Sequence, residues 1–288
     1  MLAQSRKSSR DGPMRRALWI LIVSLATTAW MLPADGQSRA PRKKDAKSVA
    51  SNKLKPPQDP ELANYGIYEK TAPTPSKTDP VATTLPLSLK KEARIAFVGN
   101  TLLDRGQDYA YFESMLVQAH PEHDLVIRNF AWSADEVDLQ PRPDNFATVA
   151  QHLTREKIDV IFAAFGYNES FAGIDHLASF KERLSTWITE TKCSAFNGET
   201  GPQIVLLSPI ANENTAAVKA ADMNNDRLAA YTQAMLEVAT EHQVGFANLF
   251  EASRQAMAPA NTDITINGAH LNAPGYAKVD AVLFREVF

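Results

Sequence analysis

The chain reads as a single α/β domain, a mostly parallel five-stranded sheet with helices covering both faces. Three observations predict it. Short apolar runs suited to strands occur at residues 95–98, 125–127, 160–165, 204–207 and 244–249. Between them lie segments whose apolar residues recur every three or four positions, the period of a helix with one buried face. The two kinds of segment alternate from residue 91 onward, as repeated βα units do.

Taken in order, Ile95-Ala96-Phe97-Val98 opens the domain as a strand, and Gly99-Asn100-Thr101-Leu102 leaves its carboxyl end. Asn and Thr both cap helices, so that exit also reads as a turn into a helix start. Tyr109, Phe112 and Leu116 mark the first helical face. The second strand, 125–127, runs into the loop Asn129-Phe130-Ala131-Trp132-Ser133-Ala134-Asp135 and then a face of Phe146, Val149 and Leu153. Strand 160–165 precedes a face of Leu177, Phe180, Leu184 and Trp187; strand 204–207 precedes one of Leu228, Tyr231, Met235 and Val238. After strand 244–249 a last helix follows Pro274, a residue that suits the first helical turn. Parallel α/β sheets bind ligands outside the carboxyl ends of their strands. Every loop singled out below lies there or just before the last helix.

The N-terminal third is different. Arg6, Lys7, Arg10, Arg15 and Arg16 precede an uncharged stretch at 17–32. It is short for a span of ~20 apolar residues, and its basic flank fits an export signal. Small residues at Ala34 and Gly36 make cleavage before Gln37 reasonable, so 1–36 is expected to be a signal peptide, which places the mature chain outside the cytoplasm. An uncleaved signal anchor is the alternative, because Trp19, Ile20, Leu21, Ile22 and Val23 are bulky enough to hold a membrane. Residues 37–90 combine Arg42-Lys43-Lys44 with recurrent prolines and few consecutive apolar residues. Such composition cannot offset its ordering entropy and predicts a flexible linker, with Tyr65, Ile67 and Tyr68 as candidates for local docking. The domain is therefore expected to span 91–288. A net charge of −3 leaves no electrostatic footprint for nucleic acid. Cys193 is the only cysteine, so stability rests on the core.

Two segments at opposite ends of the domain carry residues that acyl transfer from esters needs. Gly99-Asn100-Thr101-Leu102 offers a hydroxyl, and Asn267-Gly268-Ala269-His270-Leu271-Asn272 a histidine in a polar loop. Together with Asn129 to Asp135 and Phe165-Gly166-Tyr167-Asn168-Glu169, they resemble in order and spacing the four blocks of the SGNH hydrolases, or GDSL esterase/lipase family, over residues 91–288. The resemblance implies a single flavodoxin-like three-layer domain and ester hydrolysis with no cofactor and no metal.

Carried over residue by residue, it puts Thr101 at the nucleophile, Asn100 at the preceding aspartate, His270 at the base and Asn267 at the triad acid. The oxyanion donors would be the Thr101 and Ala134 N–H groups and the Asn168 amide, with Ala134 replacing a glycine and Glu169 an aspartate. Threonine keeps the hydroxyl but stiffens χ1 and crowds its approach to a carbonyl. Asparagine keeps a hydrogen bond to the ring but no charge, and in a serine protease that change costs ~10⁴ in turnover. Asp263 and Glu169 are candidates for a compensating acid. The implied substrate is a small acyl ester or glycan, including carbohydrate O-acetyl esters; the alternative is a catalytically degenerate domain of the same fold that binds a glycan or protein partner.

Trp132, Phe165, Tyr167 and Phe171 are candidate pocket residues, with core packing the default for Phe165, and Asp135, Glu136 and Asp138 are expected to be loop or cap charges. In His120-Pro121-Glu122-His123 the proline breaks the helix that would align both rings on a metal.

Overall fold

A computed structural model describes residues 65–258 and 263–288. The export signal expected at 1–36 and the linker residues 37–64 lie outside them. No helix among the described residues is long and apolar enough to cross a membrane.

The central sheet is built from β2 (Arg94–Gly99), β3 (Val126–Asn129), β4 (Val160–Ala164), β6 (Gln203–Leu207) and β7 (Gly245–Ala247). Their order is β3-β2-β4-β6-β7 and every pairing is parallel. Two short strands, β1 (Ser76–Lys77) and β5 (Ser194–Ala195), pair antiparallel apart from it. The helices are α1 (Thr101–Gly106), α2 (Tyr111–Ala119), α3 (Val149–Arg155), α4 (Leu177–Lys192), α5 (Ala220–His242), α6 (Leu249–Met257) and α7 (Ala273–Val287).

Strand side chains alternate between faces, and the core divides by that parity. Ile95, Phe97, Val160, Phe162, Val205 and Leu207 pack with Leu103, Phe112, Leu116, Leu249, Tyr276, Val279 and Leu283 from α1, α2, α6 and α7. Ala96, Val98, Ile161, Ala163, Ile204 and Leu206 pack with Leu153, Phe180, Leu184, Ile188, Tyr231 and Met235 from α3, α4 and α5. This is the three-layer arrangement expected from the sequence. The strand order reverses direction between β2 and β4, so the crevice outside their carboxyl ends is the topological switch point where such sheets bind ligands.

The expectation of a flexible linker reaching residue 90 is not met from Tyr65 onward. Ala72, Leu87 and Leu89 are buried. The Ile204 N–H donates to Thr83 Oγ1 at 2.8 Å, the Thr83 N–H to the Gln243 carbonyl at 3.0 Å and the Leu87 N–H to the Val287 carbonyl at 2.7 Å. Gln151 Nε2 donates to the carbonyls of Glu69 and Ala72. The segment binds through backbone groups and a few separated apolar residues, so it needs no periodic face of its own.

Candidate active site

The first corner of the site is the turn from β2 into α1. At Gly99 φ is +115°, and a Cβ there would lie 2.1 Å from the Ala164 carbonyl oxygen on the neighbouring strand. Only glycine fits both constraints. Asn100 is buried and extended, and its Oδ1 accepts the Leu102 N–H at 3.1 Å, capping α1. Thr101 is therefore the first residue of a short helix rising from the sheet's carboxyl end.

The loop after β3 supplies the second corner. The Trp132 N–H donates to the Gly99 carbonyl at 2.9 Å, and Ser133 donates its N–H (3.0 Å) and hydroxyl to Asp104 Oδ2 on α1. These bonds bring the Ala134 N–H to 3.2 Å from Thr101 Oγ1. Ala134 adopts φ +69°, so the family's glycine is replaced where the left-handed conformation is required; for a residue with a Cβ that costs roughly 1–2 kcal/mol. Asp135, expected to be a loop acid, is buried instead in a two-pronged pair with Arg142, at 2.9 and 2.7 Å. The guanidinium of Arg142 also lies 4.6 Å over the centre of the exposed Trp132 ring.

The third corner follows β4. The Asn168 Nδ2 is buried and has no hydrogen-bond partner among the described residues, an amide donor left unspent. Tyr167 donates its hydroxyl to Asn212 Oδ1 at 2.7 Å, and burial pushes its pKa up to about 12. Phe165 is fully buried core rather than pocket wall, while Phe171 is exposed. Glu169 is not the compensating acid: it is buried, accepting the Gly166 N–H (2.8 Å) and the Val137 N–H (3.1 Å). It thus ties the loop after β4 to the loop after β3. Burial, only partly offset by those donors, raises its pKa to about 7.

The histidine loop is the fourth corner, and a residue missed in the sequence holds it. Glu213, in the loop after β6, is buried and accepts the Ile264 N–H (3.1 Å), the Thr265 N–H (2.9 Å) and the Thr265 hydroxyl (2.6 Å). Its own N–H donates to the Gly268 carbonyl at 2.8 Å. Gly268, at φ +83°, approaches so closely that a Cβ would lie 2.8 Å from the Glu213 carbonyl oxygen. A lone acidic residue after a strand gives little warning of this role; its position at the sheet's carboxyl end was the only signal.

Within the loop, Asn267 Oδ1 accepts the His270 N–H (3.0 Å) and the Ala269 N–H (3.2 Å). Backbone donors need an acceptor, so these bonds orient the amide. His270 Nδ1 lies 3.1 Å from that oxygen and 3.0 Å from Asn267 Nδ2. Bonding to the oxygen puts the ring proton on Nδ1 and leaves Nε2 as a base. Bonding to the Nδ2 amide puts the proton on Nε2 and removes the base. A carboxylate would permit only the first arrangement. Neither Asp263 nor Glu169 hydrogen-bonds to His270, so the idea of a compensating acid is corrected for both. The Asp263 carbonyl instead accepts from Asn272 Nδ2, and Asn267 is the ring's partner among the described residues. The His270 pKa lies below 6.5, first because of burial and second because of the positive charge of Arg105.

Thr101 and His270 line one open cleft with Asn100, Leu102, Tyr167 and Ile210. The structure thus brings together Thr101, Ala134, Asn267 and His270, with Asn168 next to the cleft-lining Tyr167. A hydroxyl, a ring nitrogen and nearby N–H donors in one cleft can perform acyl transfer.

Comparison with known proteins agrees with this geometry. The chain is similar to a GDSL-like lipase from Parabacteroides merdae, at 18% identity and a TM-score of 0.55, covering 69% of this chain and 97% of that one. It is also similar to an acetylxylan esterase from Geobacillus stearothermophilus, at 17% identity and a TM-score of 0.53, covering 70% of this chain and 96% of that one. At such identities the likeness is one of fold. No curated protein matches the chain. The family match itself runs over residues 96–278 and takes in all four corners of the site; the chain belongs to the GDSL-like lipase/acylhydrolase family, hydrolases acting on ester bonds.

Proposed function

We propose that the protein hydrolyses small acyl esters with Thr101 as nucleophile and His270 as base. The observation that carries this reading is that both side chains line one cleft at the sheet's switch point, with His270 Nδ1 held by Asn267. Thr101 Oγ1 attacks the ester carbonyl carbon while its proton passes to His270 Nε2. The tetrahedral oxyanion is met by the Thr101 and Ala134 N–H groups and by the Asn168 amide, whose buried donor is otherwise unspent. His270 then gives its proton to the departing alcohol. Water, activated by the same ring, releases the acid and restores Thr101.

Carbohydrate O-acetyl esters are the substrate class we favour, supported by the fold shared with an acetylxylan esterase. Export through residues 1–36 is part of the same reading, supported by the basic flank before 17–32. Fractionation of the native host tests it: a full-length product confined to the cytoplasm contradicts it.

The chemistry is tested with 4-nitrophenyl acetate. Hydrolysis should be slow but measurable, and it should rise with pH through a value below 6.5, because the ring acts only when neutral and its pKa is lowered. Thr101→Ala and His270→Ala should each abolish it, and the double variant should be no worse than either. Unchanged hydrolysis in Thr101→Ala removes Thr101 as nucleophile.

A further inference from the structure

We propose that Glu169 is a positioning residue of this site, its buried carboxylate bridging the loops after β3 and β4 and so holding the oxyanion donors Ala134 and Asn168 in place. The assignment rests on the hydrolytic reading above and deepens it by naming what sets the oxyanion hole.

Glu169 is 2% exposed, and each of its oxygens has a partner in a different loop. Oε2 accepts the Gly166 N–H at 2.8 Å, and Oε1 accepts the Val137 N–H at 3.1 Å. The first bond closes a tight turn after β4, which a second bond, from the Ser170 N–H to the Gly166 carbonyl at 3.2 Å, reinforces. Inside that turn stand Tyr167, a wall of the cleft, and Asn168 with its unspent buried amide. The second carboxylate bond fastens the loop after β3 three residues beyond Ala134. One residue before Ala134, the Ser133 N–H is fastened to Asp104. The N–H that meets Thr101 Oγ1 therefore lies between two anchors, and Glu169 is one of them. Oxyanion donors work by being fixed before charge develops, so a tie shared by both loops acts on the transition state.

The bridge depends on charge. An ionised carboxylate accepts at both oxygens, whereas protonation turns one of them into a donor facing an N–H already aimed at it. One of the two ties is then lost. Burial raises the Glu169 pKa to about 7, and Glu136 in the loop after β3 adds a like charge. The other groups facing this region are Tyr231 on α5 and Arg183 on α4, the latter paired with Asp138 at 2.7 Å. The bridge is thus complete above neutral pH and half-broken below it. His270 becomes neutral at lower pH, below 6.5, so the two groups act in separate steps.

The test follows the Gly166, Val137 and Ala134 amides of the full-length protein by NMR from about pH 5 to 9, alongside 4-nitrophenyl acetate hydrolysis. In the wild type all three amides should shift with one midpoint near 7, and kcat should rise there a second time, above the step due to His270. Glu169→Gln keeps one acceptor and puts a donor in place of the other, which mimics the protonated state. It should lose the transition near 7 while keeping that of His270, and at high pH its kcat should fall roughly ten- to a hundredfold with KM little changed. Glu169→Asp, which keeps an ionisable carboxylate, should retain a transition and lie between the two in kcat; it carries the test if the glutamine variant does not fold. Movement of Gly166 and Val137 without Ala134, or wild-type kcat in folded Glu169→Gln, overturns the proposal. The NMR readout needs no turnover, so an inactive wild type whose three amides still titrate together contradicts the esterase reading and leaves the bridge standing.

Discussion

Ala134 is held in the left-handed region by bonds from the two residues before it, from Trp132 to Gly99 and from Ser133 to Asp104. The conformation presents its N–H to Thr101 Oγ1, and the methyl group adds only strain. Ala134→Gly should therefore relieve ~1–2 kcal/mol, less the ~0.4–1 kcal/mol that glycine adds to the freedom of the unfolded chain. Chemical denaturation should show a net gain, with turnover altered by no more than a few-fold. A clear loss of stability would show that the methyl packs usefully. At Asn267 the issue is charge and tautomer. Asn267→Asp should lift the His270 pKa above its present depressed position, because a carboxylate favours the charged ring and accepts only from a protonated Nδ1. NMR titration of the ring decides this, and an unmoved pKa would mean that the new carboxylate turns away.

At the scale of elements, two segments are held by partners that no periodic pattern announces. The histidine loop hangs on Glu213, which meets three donors with one carboxylate. Glu213→Gln replaces one accepting oxygen with an amide that points its own hydrogens at those donors. Leaving such buried groups unmatched costs about 1–3 kcal/mol each, so melting temperature should fall and kcat should drop more than KM rises. Unchanged stability would show that the loop has other anchors. The segment at residues 65–90 is the other case. Thr83→Ala deprives the buried Ile204 N–H of its acceptor, with a loss of about 1–3 kcal/mol. Truncation to residue 89, which also removes the buried Leu87, should destabilise the domain further in thermal melts, whereas a free linker would be removed at no cost.

The whole molecule carries buried carboxylates that resist ionisation. Burial, with the nearby charge of Glu113, raises the Asp280 pKa from 3.8 to about 7, and burial likewise raises Glu169 from 4.5 to about 7. Both bind protons more tightly folded than unfolded. Their contribution is therefore fully present below pH 4 and is lost as pH rises to about 7. Asp280→Asn keeps an acceptor for the Phe112 N–H but cannot ionise. It should match the wild type below pH 4 and exceed it above pH 8 by up to roughly 4 kcal/mol, as denaturation at the two pH values would show. A variant less stable at both would mean that the amide cannot replace the carboxylate. The same global view explains what was legible in the sequence. Strand parity and helical period identified the sheet and the long helices because each of those elements buries a regular face. Of the short helices, α1 is announced only by its cap at Asn100, because it has one buried side chain, and α6 escapes notice because its start is absorbed into the apolar run at 244–249. Thr101, Ala134, Asn168 and His270 stood out because their blocks recur in fixed order. Glu213 and the Asp135–Arg142 pair did not, because their role depends on which backbone groups the fold brings to them.

The central claim is that Thr101 and His270 form an ester-hydrolysing site weakened at two positions. The most direct measurement compares turnover of 4-nitrophenyl acetate by the wild type with that of the double variant Thr101→Ser, Asn267→Asp, with folding checked by circular dichroism. Turnover should rise by orders of magnitude in the double variant, since the aspartate alone can be worth ~10⁴. A folded double variant no faster than the wild type would contradict it.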